Sequence, residues 1–246
     1  MKKFAKVMAL MLCVALLVCG GIFGTMAYLT SQTGTLTNTF SVGDVGIILT
    51  EGFVGTNGLH ESKNGVVERV NYGQGFKLIP GAYYDKDPII RVEDNSENAY
   101  LYVKVVNEIA PLEAGYVDET LDVNENDKCP TVATQMEANG WKPLYIDSND
   151  NGELEASERV ANVYFYAKDT SEGDLTVANQ TYTVFTKVYI SNQITDFLAH
   201  VDTKNPGSTA VNYKGKTIAV TAFAIQAQGF NSAAHAWEVA SSAFTA

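Results

Sequence analysis

Alternation is the feature that most constrains the fold. From Ala99 to Asn107 the chain places Tyr100, Tyr102, Lys104 and Val106 on one face and Leu101, Val103 and Val105 on the other. A period of two, carried by β-branched and aromatic residues, fits a pleated strand and not a 3.6-residue helix. The aliphatic face is expected in a core and the tyrosine face half wet. Val45-Gly46-Ile47-Ile48-Leu49 reads as a further, buried strand. More strands are expected over residues 76–79, 88–93, 141–146, 160–167, 181–190 and 216–227. Clusters of Gly, Asn, Asp, Pro and Ser punctuate them as turns do. Helical patterns are few, at residues 132–139, 193–201 and 232–244. Many strands with long excursions predict an all-β chain, an antiparallel β-sandwich of jelly-roll type with a few short helices.

The N-terminus reads differently. Lys2, Lys3 and Lys6 precede an uncharged apolar run from Val7 to Cys19, and Gly20, Gly21 and Gly24 lead into Thr25-Met26-Ala27. Small residues at the −3 and −1 positions place a signal-peptidase cut between Ala27 and Tyr28, so residues 1–27 are expected to be a signal peptide. The run is shorter than the roughly 20 apolar residues of a membrane span, so contact with a membrane is expected only through the uncleaved leader. Residues 44–246 read as one domain, with 111–130 as an exposed acidic insertion loop.

Between leader and domain lies an alternating segment, residues 28–43. Leu36, Phe40 and Val42 share one face with Asn38, Thr35, Thr37, Thr39 and Ser41 share the other, and no charge occurs before Asp44. Cleavage would free it as a strand able to pair with an open sheet edge, either of its own subunit or of another copy. The formal charge of −11 becomes −14 once the three leader lysines are gone, with 14 basic side chains against 28 acidic. Such a field excludes nucleic acid and anionic membrane surfaces as partners. Cys13 and Cys19 belong to the leader and leave Cys129 alone, so no internal disulfide is expected.

One local motif carries ligand chemistry. Asp147 to Glu158, DSNDNGELEASE, fits the calcium-loop template D-x-[DN]-x-[DN]-G-x5-E. Asp147, Asn149 and Asn151 would give side-chain oxygens and Glu153 its carbonyl. Glu155 would bind through water and Glu158 with both carboxylate oxygens, a hard-oxygen set suited to Ca2+. The flanks read as strands where an EF-hand has helices, and an Asn/Asp/Gly hairpin tip explains the same residues. Zinc is not expected. His60-Glu61 is followed by Asn64 where a zincin needs its second histidine, and His200 and His235 are far away in sequence. No Gly-x-Ser-x-Gly elbow occurs, and Cys129 sits near Glu125 and Asp127, which disfavour a thiolate. Tyr83 to Asp87 reads as a ligand-binding lip or as a loop entering the next strand. Trp141 and Trp237 read as sugar platforms or, more commonly, as core anchors.

Three stretches carry a family resemblance: GTMAYLTSQTGTLTNTFSVGDVGIILTE from Gly24, LIPGAYYDKDPIIRVEDNSENAYLYVKV from Leu78, and AFAIQAQGFNSAAHAWE from Ala222. Together they resemble the camelysin/TasA family, proteins exported through a signal peptidase of SipW type. Residues 111–179 do not share the resemblance. It implies a jelly-roll sandwich secreted by a Gram-positive bacterium to its surface or biofilm matrix. It further implies fibres in which the freed N-terminal strand adds to the next subunit, with accessory matrix proteins as further partners. Two alternatives stay open: a camelysin-like metalloendopeptidase, and a monomeric calcium-binding surface or adhesion module.

Overall fold

The structure, a computed structural model, describes residues 30–33, 45–114, 129–149, 151–202, 204–205 and 207–244. The expected signal peptide, most of the 28–43 segment, the cut between Ala27 and Tyr28, and residues 115–128 of the acidic loop lie outside the described residues. Thirteen strands are described, and their sheets are antiparallel throughout. They are β1 (Thr30–Thr33), β2 (Ile47–Gly52), β3 (Ser62–Lys63), β4 (Val66–Val67), β5 (Arg69–Val70), β6 (Tyr83–Asp85) and β7 (Ile89–Val92). Then come β8 (Ala99–Asn107), β9 (Trp141–Tyr145), β10 (Arg159–Tyr166), β11 (Thr181–Thr183), β12 (Lys187–Tyr189) and β13 (Ile218–Gln226). Among the described residues two short helices, α1 (Val132–Ala138) and α2 (Ala233–Ala240), and a few 3-10 turns accompany the strands. The all-β expectation thus holds at the level of antiparallel sheets with few helices.

A five-stranded sheet runs β1-β13-β8-β10-β9 and a four-stranded one β11-β7-β2-β5, with the small pairs β12-β6 and β3-β4 beside them. Leu101, Val103 and Val105 of β8 and Val220, Ala222 and Ala224 of β13 meet Ile47, Leu49, Ile90 and Val92 of the other sheet in one core. Burial of these aliphatic faces is the main stabilising term. Pro143 lies in β9, at the sheet edge, where its missing N–H costs no ladder bond.

The tyrosine face of β8 is not half wet. Tyr100 and Tyr102 are buried. They lie beneath α2, whose Ala233 and Ala236, with Phe223, Ile225 and Phe244, form a second core on the outer side of the five-stranded sheet. The Tyr102 hydroxyl donates to the Ala233 carbonyl at 2.7 Å, across 131 positions. Ser232 caps α2 by accepting from the His235 amide. No local pattern around residue 100 announces a cover that arrives so late in the chain.

The expected strand over 181–190 is split in two. Gln135 of α1 is buried at the break: its Oε1 accepts from the Thr186 and Lys187 amides and its Nε2 donates to the Lys187 and Pro130 carbonyls. A helix side chain therefore replaces strand partners where the chain passes from β11 to β12. The helix expected over 193–201 is absent as well. Asp196 Oδ1 accepts from the Leu198 and Ala199 amides, a turn that competes with helix formation. Residues 76–79 form no ladder, and the Ile79 amide donates instead to the Tyr84 hydroxyl.

Candidate functional site

The candidate donor segment begins at an edge. Residues 30–33, as β1, pair with β13 of the same chain in the register Thr30↔Ile225, Ser31↔Ala224, Gln32↔Phe223 and Thr33↔Ala222. On its other side β13 pairs with β8 along all nine residues, from Ile218 to Gln226. β1 is thus the outermost strand, and it covers four of nine edge positions. From Ile218 to Thr221 that edge meets no strand among the described residues.

The candidate calcium loop joins β9 to β10 as a hairpin tip, with strands on both flanks and a 3-10 turn over Ala156–Glu158. Its oxygens are gathered, but on the loop's own amides. Asp147 Oδ1 accepts from the Asn151 amide at 3.2 Å and Oδ2 from the Gly152 amide at 2.8 Å. Asn149 Oδ1 accepts from the Asn151 amide at 3.0 Å, and Asn151 Oδ1 from the Glu153 amide at 2.7 Å. Gly152 supplies the bend with φ of +79°, a backbone region natural to glycine. Glu158, 8% exposed, turns inward: Oε1 accepts from the Ser148 amide and hydroxyl, and Oε2 from the Glu155 amide. The donor set suits calcium in kind, and the ion would have to displace these amides or share their acceptors.

The three histidines stand in three environments. His60 lies between Asp85 and Asp87, with Nε2 at 3.3 Å from Asp87 Oδ1. His200 belongs to an isolated bridge with Val211, and His235 faces Asn231 from α2. Among the described residues no three His, Cys, Asp or Glu side chains form a metal-holding group. Burial, with the nearby Glu113 charge, pushes the Cys129 thiol up to about 11, so it is protonated at neutral pH. The aromatic candidates are packed. Trp141 is 1% exposed and donates to the Thr183 carbonyl, while Trp237 packs edge-on or tilted against Tyr102, Phe223 and Phe244.

Two polar clusters escape sequence reading. Asp87 accepts from the Gly52 amide at 2.7 Å and pairs with the Arg69 guanidinium, which also donates to the Thr50 and Asp87 carbonyls. The Tyr83–Asp87 stretch is therefore an anchor for three elements. Glu113, 3% exposed, closes the two ends of the acidic loop: it accepts from the Val132 amide at 2.7 Å and from the Asn107 side chain. Burial raises its carboxyl to about 7, against the lowering effect of those two donors. The loop was expected to be exposed from residue 111, yet Leu112 and Glu113 are buried.

No known protein family, curated protein or solved structure matches this chain.

Proposed function

We propose that the chain is a secreted structural protein of the cell surface or biofilm matrix, a jelly-roll sandwich that polymerises by exchange of residues 28–43. In the closed monomer the start of this segment pairs with its own β13. In the polymer the same residues would add to β13 of the next copy, with the same register and the same ladder bonds. The reading rests on a single observation, the placement of residues 30–33 as a four-residue outermost strand on a nine-residue edge. Export through a SipW-type peptidase, with the cut after Ala27, supplies the free strand. The resemblance to camelysin/TasA proteins supports the same direction.

The test uses the register. In a Cys129→Ser background, Ser31→Cys with Ala224→Cys places two thiols on directly opposed residues. Oxidised as a monomer, the variant should give an internal cross-link and no filaments by negative-stain microscopy. Oxidised after assembly, it should give a covalent ladder of multimers on a denaturing gel. Filaments from the locked monomer, or filaments without a ladder, would refute strand exchange. Deleting residues 28–43 should leave a folded monomer that forms no filaments.

A second reading is favoured by the Asp147–Gly152 turn, which already gathers four oxygens from three calcium-type side chains around one bend. It makes the β9–β10 tip a weak extracellular calcium site.

A further inference from the structure

A cleft of 710 Å³ opens where the start of β13 meets residues 73–78, 197–198 and 213–217. Its volume lies within the range of small-molecule sites. Its walls are apolar, built from Phe76, Leu78, Ile109, Val188, Phe197 and Ile218. Three polar side chains in the walls have spent their hydrogen bonds elsewhere. Gln74 accepts from the Val54 amide and donates to the Gly52 carbonyl. The Tyr84 hydroxyl accepts from the Ile79 amide and donates to the Lys77 carbonyl. The Thr217 hydroxyl donates to Glu108. A sugar or a polar peptide would find few free partners here, whereas an apolar body would lose nothing by entering.

The charge is also selective. Lys86, Lys214 and Lys216 line the cleft and no Asp or Glu does, in a chain of net charge −11. Lys86 is committed to Glu51 at 2.6 Å, and Lys216 to Glu108 at 2.8 Å on the exposed rim. Lys214 is exposed and forms no ion pair among the described residues. The geometry points to a binding site for an amphipathic carboxylate, its apolar body in the cleft and its head on the Lys214–Lys216 rim. Charge complementarity selects the anion, and the spent polar walls select the apolar body.

Titration calorimetry of the processed protein with dodecanoate, below its micelle concentration, tests this directly. One-to-one binding is expected, weakening by about fourfold for each methylene removed in the decanoate comparison. Dodecan-1-ol, which keeps the tail and lacks the charge, should bind more weakly. Lys214→Glu with Lys216→Glu should weaken dodecanoate by roughly tenfold. Leu198→Glu, a substitution at an exposed lining position, should also weaken it. Absence of binding, equal affinity for the alcohol, or an unchanged affinity in the lysine variant would overturn the proposal. So would binding that occurs only after deletion of residues 28–43, which would assign the cleft to the chain's own N-terminal segment. The chain-length and head-group comparisons use the unmodified sequence, so misfolding of a variant leaves the test standing.

Discussion

The knot around Asp87 and the loop from Asp147 to Glu158 are both built from carboxylates that accept backbone amides, yet they are opposites in reach. In the loop, each acceptor serves an amide no more than ten positions away. In the knot, Asp87 reaches Gly52 over 35 positions and Arg69 over 18, while Asp85 takes the His60 amide over 25. The loop folds a turn upon itself. The knot ties β2, β5 and the 53–61 excursion to the β6–β7 connection. Removing a local acceptor frays a tip, whereas removing a long-range one releases several elements together.

Asp87→Ala should therefore give the largest loss, about 3 to 4 kcal/mol, because it strands a mostly buried guanidinium and the Gly52 amide. The urea midpoint measures it, and Asp87→Asn should recover part by keeping one acceptor. A shift no larger than that of a hairpin-tip mutant would dissolve the contrast between the two regions.

Glu113 is a third case, long-range and titratable. Its carboxyl rises from an ordinary 4.5 to about 7 in the fold. Below pH 4.5 the group is mostly protonated in both states. As pH climbs towards 7, the unfolded chain loses the proton first, so stability falls across this window and is constant above it. The fall is about 3 kcal/mol. Urea melts at pH 4.5 and pH 7.5 should show it in wild type, and Glu113→Gln should remove that part of the pH dependence.

At the tip, Glu158→Ala leaves the Ser148 and Glu155 amides without their acceptor and should cost about 1 to 2 kcal/mol. Calcium sharpens the comparison here. If the ion binds, titration heats seen with wild type should vanish in Glu158→Gln, and melting should rise with calcium only in wild type. Equal, negligible heats in both would leave the loop a plain turn. The smallest effect is expected of Gly152→Ala, about 1 kcal/mol, since its Cβ meets nothing within 4 Å and only the positive φ opposes it.

Much of the strand inventory was legible because alternation is local. β8 occupies the expected residues 99–107, β7, β9, β10 and β13 fall within a residue or two of expectation, and α1 ends one residue early. The turn chemistry of Asp147–Gly152 was equally readable, since an Asn/Asp/Gly cluster bends its own backbone. Two of the three failures share a cause. The 181–190 strand breaks at Gln135, the 193–201 helix yields to Asp196, and the tyrosine face of β8 is covered by α2; in the first and last of these the deciding group lies dozens of positions away.

The order of residues by itself determined which segments are pleated and where they turn, because period and turn preference act between near neighbours. It also set the net acidic charge and the polarity of each strand face. Tertiary structure alone decided that residues 30–33 lie on β13, that Asp87 holds Gly52 and Arg69, and that three lysines line an apolar cleft. Those outcomes depend on loop closure and on the competition for a limited buried interior, and neither leaves a periodic mark in the sequence.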